Sequence, residues 1–309
     1  MRDLQVLEEH ISNLSRSIDY IEQHIEEQFT MLDLAKQARM SVWHFQKVFH
    51  ILVGEPVKTY VRRRRLTHAS KLLIDSEISL DSLAAMAGFK SQEAFNRAFK
   101  LQFQLTPGVF RKARTPAKTP HARASINEEY IANIFAQTRP PQVDIRELPS
   151  MKLLGIQGHF YSCFSDDADG PKIIPSFWKR LDELIDKNKL TSILSYWGVV
   201  TVSNDTLGET DQSTYAATFE TDLSNIAHEK TLCQELLEYD MPGGLYAVFK
   251  QQNPAAGIVA SLNYVFCIWL NQSDYQLDDR AELENYAVDY SVSDLNSYFT
   301  YGIPVKTKA

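Results

Sequence analysis

The segment Ile78-Ser-Leu-Asp-Ser-Leu-Ala-Ala-Met-Ala-Gly-Phe-Lys-Ser-Gln-Glu-Ala-Phe-Asn-Arg-Ala-Phe-Lys100 decides the first half of the fold. Its apolar residues recur at helical spacing on both sides of the turn signal Gly88-Phe89. Ser91 stands where an N-cap accepts from the orphan amides of a new helix. Phe95 and Phe99, four apart, bury one face, which leaves Gln92, Glu93, Asn96 and Arg97 pointing outward. Two short helices joined this way make a helix-turn-helix, whose second helix presents its first turns to the DNA major groove.

The pattern occurs twice. Moved back by fifty residues, Ala85 falls on Ala35, Ser91 on Ser41, Phe95 on Phe45, Phe99 on Phe49 and Arg97 on Lys47. Val42, Trp43, Gln46 and Lys47 then take the outward positions of the first unit, with a core position as the alternative for Trp43. Pro56–Ile74 runs between the units, its proline early, where a missing amide is tolerated. A connector of about 18 helical residues spans roughly 27 Å, close to the roughly 34 Å between successive major grooves. One chain would therefore cover about two turns of an asymmetric site. In the run Arg62–Arg65 at most two side chains share a face; at least one is expected to pair with an acidic residue, and others to reach phosphate.

Charge divides along the same line. Residues 1–124 hold 19 basic and 13 acidic side chains, and residues 125–309 hold 13 and 26, giving the total of −7. A basic half suits a polyanion, and an acidic half something else. Between them Thr115-Pro-Ala-Lys-Thr-Pro-His-Ala-Arg-Ala124 has two prolines and no large apolar residue, a linker composition. Three domain segments are expected: 8–114, 115–141 and 142–309.

Beyond the linker, β-branched and aromatic runs (Val143–Leu148, Leu153–Phe160, Tyr196–Val202, Thr214–Glu220, Leu245–Lys250) alternate with helical patterns at Ile174–Lys187 and Ala256–Leu270. This predicts an α+β domain with an antiparallel sheet. It also looks duplicated. Glu147-Leu-Pro-Ser leads to a strand and the helix bearing Trp178, as Asp240-Met-Pro-Gly leads to a strand and the helix bearing Trp269.

Chain-wide features exclude several classes. No stretch approaches a bilayer span, and the charged amphipathic start is unlike a signal peptide, so a cytoplasmic protein that does not enter membranes is expected. Cys163, Cys233 and Cys267 form no CxxC pair, and the eight histidines are scattered without metal spacing, His159 beside Phe160 reading as structural. GxSxG, HExxH, Walker A and GxGxxG are absent, so neither enzyme chemistry nor a cofactor or metal is expected.

The N-terminal residues resemble the AraC/XylS transcriptional regulators. The signature runs through Arg65-Leu66, Ala69, Leu72-Leu73, Ile78, Ala84, Gly88-Phe89, Ser91, Phe95, Arg97, Phe99-Lys100, Thr106-Pro107 and Phe110-Arg111. It departs at Gln104, where the family usually has glycine; if that turn needs positive φ, Gln104 carries strain. The resemblance implies double-stranded DNA as partner, RNA polymerase as a further one, and DNA contacts from Val42, Trp43, Gln46, Lys47, Arg62, Arg65, Gln92, Glu93, Asn96, Arg97 and Arg111. Gln and Asn suit adenine edges and Arg suits guanine.

The acidic half resembles GyrI-like effector-binding domains, two β-β-α-β units around a cleft. The residues carrying this include Ile174-Pro-Ser-Phe-Trp178, Tyr196-Trp-Gly-Val199, Pro242-Gly-Gly-Leu-Tyr246 and Glu284-Asn-Tyr286. The resemblance implies a small, often lipophilic cationic effector, held by Glu284 and Glu220 with Trp178, Trp197, Tyr215 and Tyr286 as walls. A cation enters an apolar cleft only where a carboxylate and ring faces replace its water. Two other readings remain: a cleft that hydrolyses small molecules, as some relatives do, and a module that binds a protein partner.

Overall fold

The computed structural model of the protein describes residues 2–114, 140–162, 167–202, 212–222, 224–252, 258–291, 294 and 296–308. The expected linker, 115–141, falls outside the described residues as far as 139. The chain divides into two compact units, one of Glu8–Asn127 and one of Met1–Leu7 with Glu128–Ala309.

Among the described residues the regular elements of the first unit are all helices. Its helices are α1 (Arg2–Gln23), α2 (Met31–Gln37), α3 (Val42–Val53), α4 (Val57–Asp75), α5 (Leu80–Met86), α6 (Gln92–Phe103) and α7 (Pro107–Ala113). Their starts are set locally. The hydroxyls of Thr30, Ser41, Ser79, Ser91 and Thr106 each accept from the amide three residues on, and Thr30 and Asp33 complete a capping box.

The fifty-residue repeat is structural: α2–α3 and α5–α6 are the two copies, joined by the 19-residue α4. In the first copy the Phe45 and Phe49 ring centroids lie 5.6 Å apart, with Tyr60 of α4 5.5 Å from Phe49. In the second, Phe95 and Phe99 are again 5.6 Å apart, and Phe110 of α7 sits 5.3 Å from Phe99. Gln102 of α6 donates to the Arg63 carbonyl and the Thr67 hydroxyl of α4 at 3.1 and 3.2 Å. Even the helix stops correspond. Gly54 ends α3 in the left-handed region at φ 83°, and fifty residues later Gln104 ends α6 at φ 58°.

The second unit is built on β1 (Val143–Leu148), β2 (Met151–Tyr161), β3 (Ser195–Val202), β4 (Gln212–Glu220), β5 (Leu237–Met241), β6 (Gly244–Gln252), β7 (Tyr275–Leu277), β8 (Glu282–Tyr286) and β9 (Tyr298–Thr307). The sheet is antiparallel in the order β1-β6-β9-β8-β3-β4-β2-β5, with β7 beside β9. This order is the predicted duplication. The first strand of each copy pairs with the second strand of the other (β1 with β6, β5 with β2), and β3 of the first copy meets β8 of the second in the middle. The first copy's helix, α8 (Gly170–Asn188), lies over β2 and β4; α9 (Ile226–Leu232) follows β4. The second copy's helical pattern does not run unbroken: α10 (Ile258–Tyr264) passes into a π-helical turn, Val265–Trp269, before α11 (Leu270–Gln272).

Because strand residues alternate sides, each strand feeds two cores. Leu154, Tyr215, Ala217 and Phe219 pack under α8, whereas Leu153, Trp197, Val199, Ala216 and Leu283 pack on the opposite face.

The left-handed stop at Gln104 gives a stability prediction. A side chain there strains a conformation that glycine adopts freely, although glycine also enlarges the unfolded ensemble. Gln104→Gly is expected to raise stability by roughly 0.5–1 kcal/mol in urea unfolding. A loss of stability would mean that the exposed bond from Gln104 Nε2 to the Leu101 carbonyl outweighs the backbone strain.

Candidate functional site

Two sets of side chains can do chemistry, one in each unit. In the helical unit, α6 carries Glu93 and Arg97 exposed and Gln92 and Asn96 half-exposed, with the Asn96 Oδ1 buried and without a hydrogen-bond partner among the described residues. On α3, Val42 and Trp43 are half-exposed, but Gln46 and Lys47 are 7% and 5% exposed. Contrary to expectation, neither side chain points outward. The Lys47 ammonium folds back to 4.1 Å from the centre of the Trp43 ring, one turn earlier on the same helix.

The arginine run of α4 sorts itself by partner. Arg62 is exposed. Arg63 pairs with Glu55, and Arg64 with Glu22, both at 2.6 Å. Arg65 was expected at the DNA, yet it turns inward, donating to the Ile25 and Glu27 carbonyls at 3.2 and 2.6 Å. Arg111 likewise donates to the Ile78 carbonyl. Both guanidiniums satisfy carbonyls left over at loop ends, a use that residue type alone does not reveal. Gln92, Glu93, Asn96, Arg97 and Arg62 remain on the surface.

In the second unit the predicted residues divide between the two faces of the sheet. Trp178, Tyr215, Glu284 and Tyr286 come together under α8. The Tyr215 and Tyr286 hydroxyls donate to Glu284 Oε2 at 2.5 and 3.0 Å, and Trp178 Nε1 donates to the Tyr215 oxygen at 2.9 Å. Gly198, paired with Glu284 across β3 and β8, makes this possible: a Cβ there would lie 2.3 Å from the Tyr215 oxygen and 2.5 Å from Glu284 Oε2. Tyr215 is buried, whereas Glu284, Trp178 and Tyr286 keep partial access to solvent. The Trp178 ring meets Tyr286 edge-on at 5.5 Å, and Tyr286 in turn stands 4.8 Å from Tyr290 and 5.0 Å from Phe299.

Trp197 and Glu220 are not part of this cluster. Strand alternation puts them on the other face, where Trp197 Nε1 donates to Ser195 Oγ at 2.8 Å and Ser195 Oγ donates to Glu220 Oε2 at 2.6 Å. Sequence reasoning also missed Tyr196, the neighbour whose ring does face Trp178, at 6.3 Å. The adjacent pair Tyr196-Trp197 told that one ring goes to each face, but the parity of β3 follows only from its pairing with β8. Glu282, two residues before Glu284 and on the same face, was missed as well; it is buried and accepts from the Tyr301 hydroxyl at 2.5 Å.

Electrostatics make the Glu284 seat costly. Burial lifts its carboxyl above the usual carboxylate range, the two tyrosine hydroxyls draw it partly back, and the charge of Glu282 pushes it up again. Burial first, and then the Glu284 charge, hold the Tyr215 and Tyr286 hydroxyls well above the usual phenol range. They stay protonated donors. The arrangement is a carboxylate with fixed donors on one side and ring faces around it, chemistry fit to accept a cation that sheds water. Among the described residues no cluster could hold a metal ion, and no helix is long and apolar enough to cross a membrane.

Comparison with known proteins bears on both units. A model of the GyrI-like small molecule binding domain matches residues 141–306, and a helix-turn-helix domain model matches residues 34–113. The protein named "Probable transcription factor PqrA" of Proteus vulgaris is 40% identical over 86 residues, 28% of this chain and 70% of its own. The transcriptional regulator Rob of Salmonella typhimurium is 32% identical over 94 residues, 30% of this chain but only 32% of Rob. The crystal structure of the DNA-binding domain of AdpA with a target DNA shares 30% identity, with a TM-score of 0.31 over 35% of this chain and 97% of that one.

The raised Glu284 pKa fixes the sign of a stability effect. Below the unfolded pKa, about 4.3 for a glutamate, the group is neutral in both states and costs nothing. As pH rises toward the higher folded pKa, the unfolded chain ionises first and stability falls. Glu284→Gln keeps an acceptor for both tyrosines and removes that loss. The variant should match the parent near pH 4 and become the more stable protein by pH 8, read from urea midpoints. Equal midpoints at both pH values would contradict the burial.

Proposed function

The chain belongs to the AraC/XylS-type regulators that carry a GyrI-like small-molecule-binding domain, and from that premise we propose a transcription regulator that senses a lipophilic cation. The observation that carries the effector class is the Glu284 carboxylate, seated among Trp178, Tyr196 and Tyr286 by two tyrosine hydroxyls. A neutral ligand would leave that carboxylate desolvated and uncompensated. A delocalised organic cation compensates it and gains about 0.5–2 kcal/mol from each well-placed ring face.

DNA is the partner of the helical unit. Residues 30–114 carry 15 basic against 6 acidic side chains, and the two copies stand at the ends of a connector of 19 residues, about 28 Å long. Within α6, Arg97, Gln92 and the half-exposed Asn96 are assigned base or phosphate contacts. On α3 the same roles go to the half-exposed Val42 and Trp43. Arg62 is assigned to phosphate. RNA polymerase is the further partner that this class of regulator implies.

The test is selection of bound duplexes from a random pool, repeated with a lipophilic cation such as rhodamine 6G. Affinity for the selected site should fall steeply with salt, and Arg97→Ala should cost roughly 1–3 kcal/mol there. An undiminished Arg97→Ala would remove the contact.

For the cleft, rhodamine 6G affinity should weaken as pH is lowered through the raised Glu284 pKa, because only the ionised carboxyl attracts the cation. Glu284→Gln should abolish that pH dependence while sparing neutral ligands. Affinity that is flat with pH in the parent would assign the cation elsewhere.

A further inference from the structure

The sheet ends in two open strands, and they differ in how they would meet a second copy of this chain. Among the described residues β1 pairs with β6 alone, and β5 at the opposite end pairs with β2 alone. Such edges are templates for further pairing, and charged side chains ordinarily discourage it. Along β1 the order of the charges favours it instead.

Which backbone groups of β1 face outward follows from a proline two strands away. Pro304 of β9 stands opposite Tyr246 of β6 and has no amide to give. Its carbonyl turns the other way, accepting from the Asp278 amide at 3.0 Å. The backbone groups of Tyr246 therefore point at β1, where Arg146 is its partner. By alternation Asp144, Arg146 and Leu148 bond to β6. The amides and carbonyls of Val143, Ile145 and Glu147 are turned to the open side.

The side chains complete the pattern. Asp144 and Arg146 are exposed on one face, bridged within the strand at 3.8 Å, and Asp144 also accepts from Gln142 at 3.4 Å. Ile145 between them is half-buried on the other face. A second β1 laid antiparallel, Ile145 opposite Ile145, brings each Asp144 against Arg146 of the other copy. Those two pairs fall at the non-hydrogen-bonded positions, where facing side chains stand closest. A register centred on Asp144 or on Arg146 sets like charges face to face. β5 offers no such match: centred on Tyr239, its Glu238 meets Asp240 of the second copy. Having no basic residue, β5 cannot answer Asp144 and Glu147 either.

We propose that two copies of this chain join through β1, antiparallel and centred on Ile145, into one continuous sheet. The contact uses the same strand from both copies about a two-fold axis, so it closes at a dimer. The facing pairs Ile145–Ile145 and Val143–Glu147 exchange their outward N–H···O bonds. A strand pair buries little area, which places it among weak contacts that salt can screen. The inference stands apart from the effector and DNA readings and holds or fails without them.

The test is sedimentation equilibrium of the full chain, up to about 200 µM protein at about 0.15 M salt. The parent should show a monomer–dimer equilibrium. Asp144→Arg and Arg146→Asp should each weaken it about tenfold or more, since one sets arginines and the other aspartates face to face. Mixed in equal amounts, the two variants should recover the parent's association as a heterodimer, because every facing pair is again opposite in charge. That recovery requires both variants to be folded. Ile145→Pro, which deletes an outward amide and spares the β6 ladder, should remove the dimer. Asp240→Asn, exposed on the other edge, should change nothing. The proposal is overturned by a parent that stays monomeric, by single charge variants that associate as the parent does, or by a mixture no tighter than its components. It is also overturned if Ile145→Pro still dimerises, or if Asp240→Asn weakens association as much as Arg146→Asp, which would put the contact on β5.

Discussion

A carboxylate held largely out of water is the constraint around which the second domain is organised. Glu284 sits where its charge is disfavoured, and the surrounding choices make the position tolerable without making it comfortable. Gly198 clears the space, Tyr215 and Tyr286 donate, and Trp178 fixes the Tyr215 hydroxyl from α8. Replacing such a seat with apolar side chains would favour folding. Retaining it makes sense where an incoming positive charge completes it. The duplication places the seat at the junction of the two copies, since Glu284 lies on β8 and its partner Gly198 on β3, the strands that join them.

The helical domain follows another rule, repetition with a rigid spacer. Each copy uses the same serine cap, the same pair of phenylalanines 5.6 Å apart and a left-handed stop at equivalent positions. The connector is anchored through its arginines. Arg63, Arg64 and Arg65 reach Glu55, Glu22 and the carbonyls after α1, which leaves Arg62 as the member of that run on the surface. Positive charge in this domain is therefore partly structural, and only contacts distinguish a guanidinium that braces the fold from one exposed on its surface.

The two domains differ in how far the sequence could be read. Helix caps, aromatic spacing and the fifty-residue repeat are local, so α2 to α6 could be placed from residue types alone. The positive φ at Gln104 was likewise foreseeable from the expectation of glycine there. In the sheet, Glu284, Tyr215, Tyr286 and Trp178 were recognisable as a group through family resemblance. The separation of Trp197 and Glu220 from them was not, because a strand's parity depends on register with strands far along the chain. β8 was not among the strands read from the sequence, since Glu282-Leu-Glu-Asn-Tyr286 carries two acidic side chains that only Tyr301 and Tyr215, donating from distant strands, seat in the sheet. The inward hydrogen bonds of Arg65 and Arg111 were hidden for a related reason: their carbonyl partners lie more than thirty residues away.

The central claim is that Glu284 is a desolvated carboxyl which a bound cation restores to its charged form. Carbon-13 NMR of labelled glutamate side chains, assigned with Glu284→Gln, measures this directly across a pH titration with and without rhodamine 6G. The account predicts a Glu284 pKa above the usual carboxylate range in the free protein and a clear fall when the cation is bound. A pKa that is ordinary in the free protein, or that does not move on saturation with the cation, would contradict it.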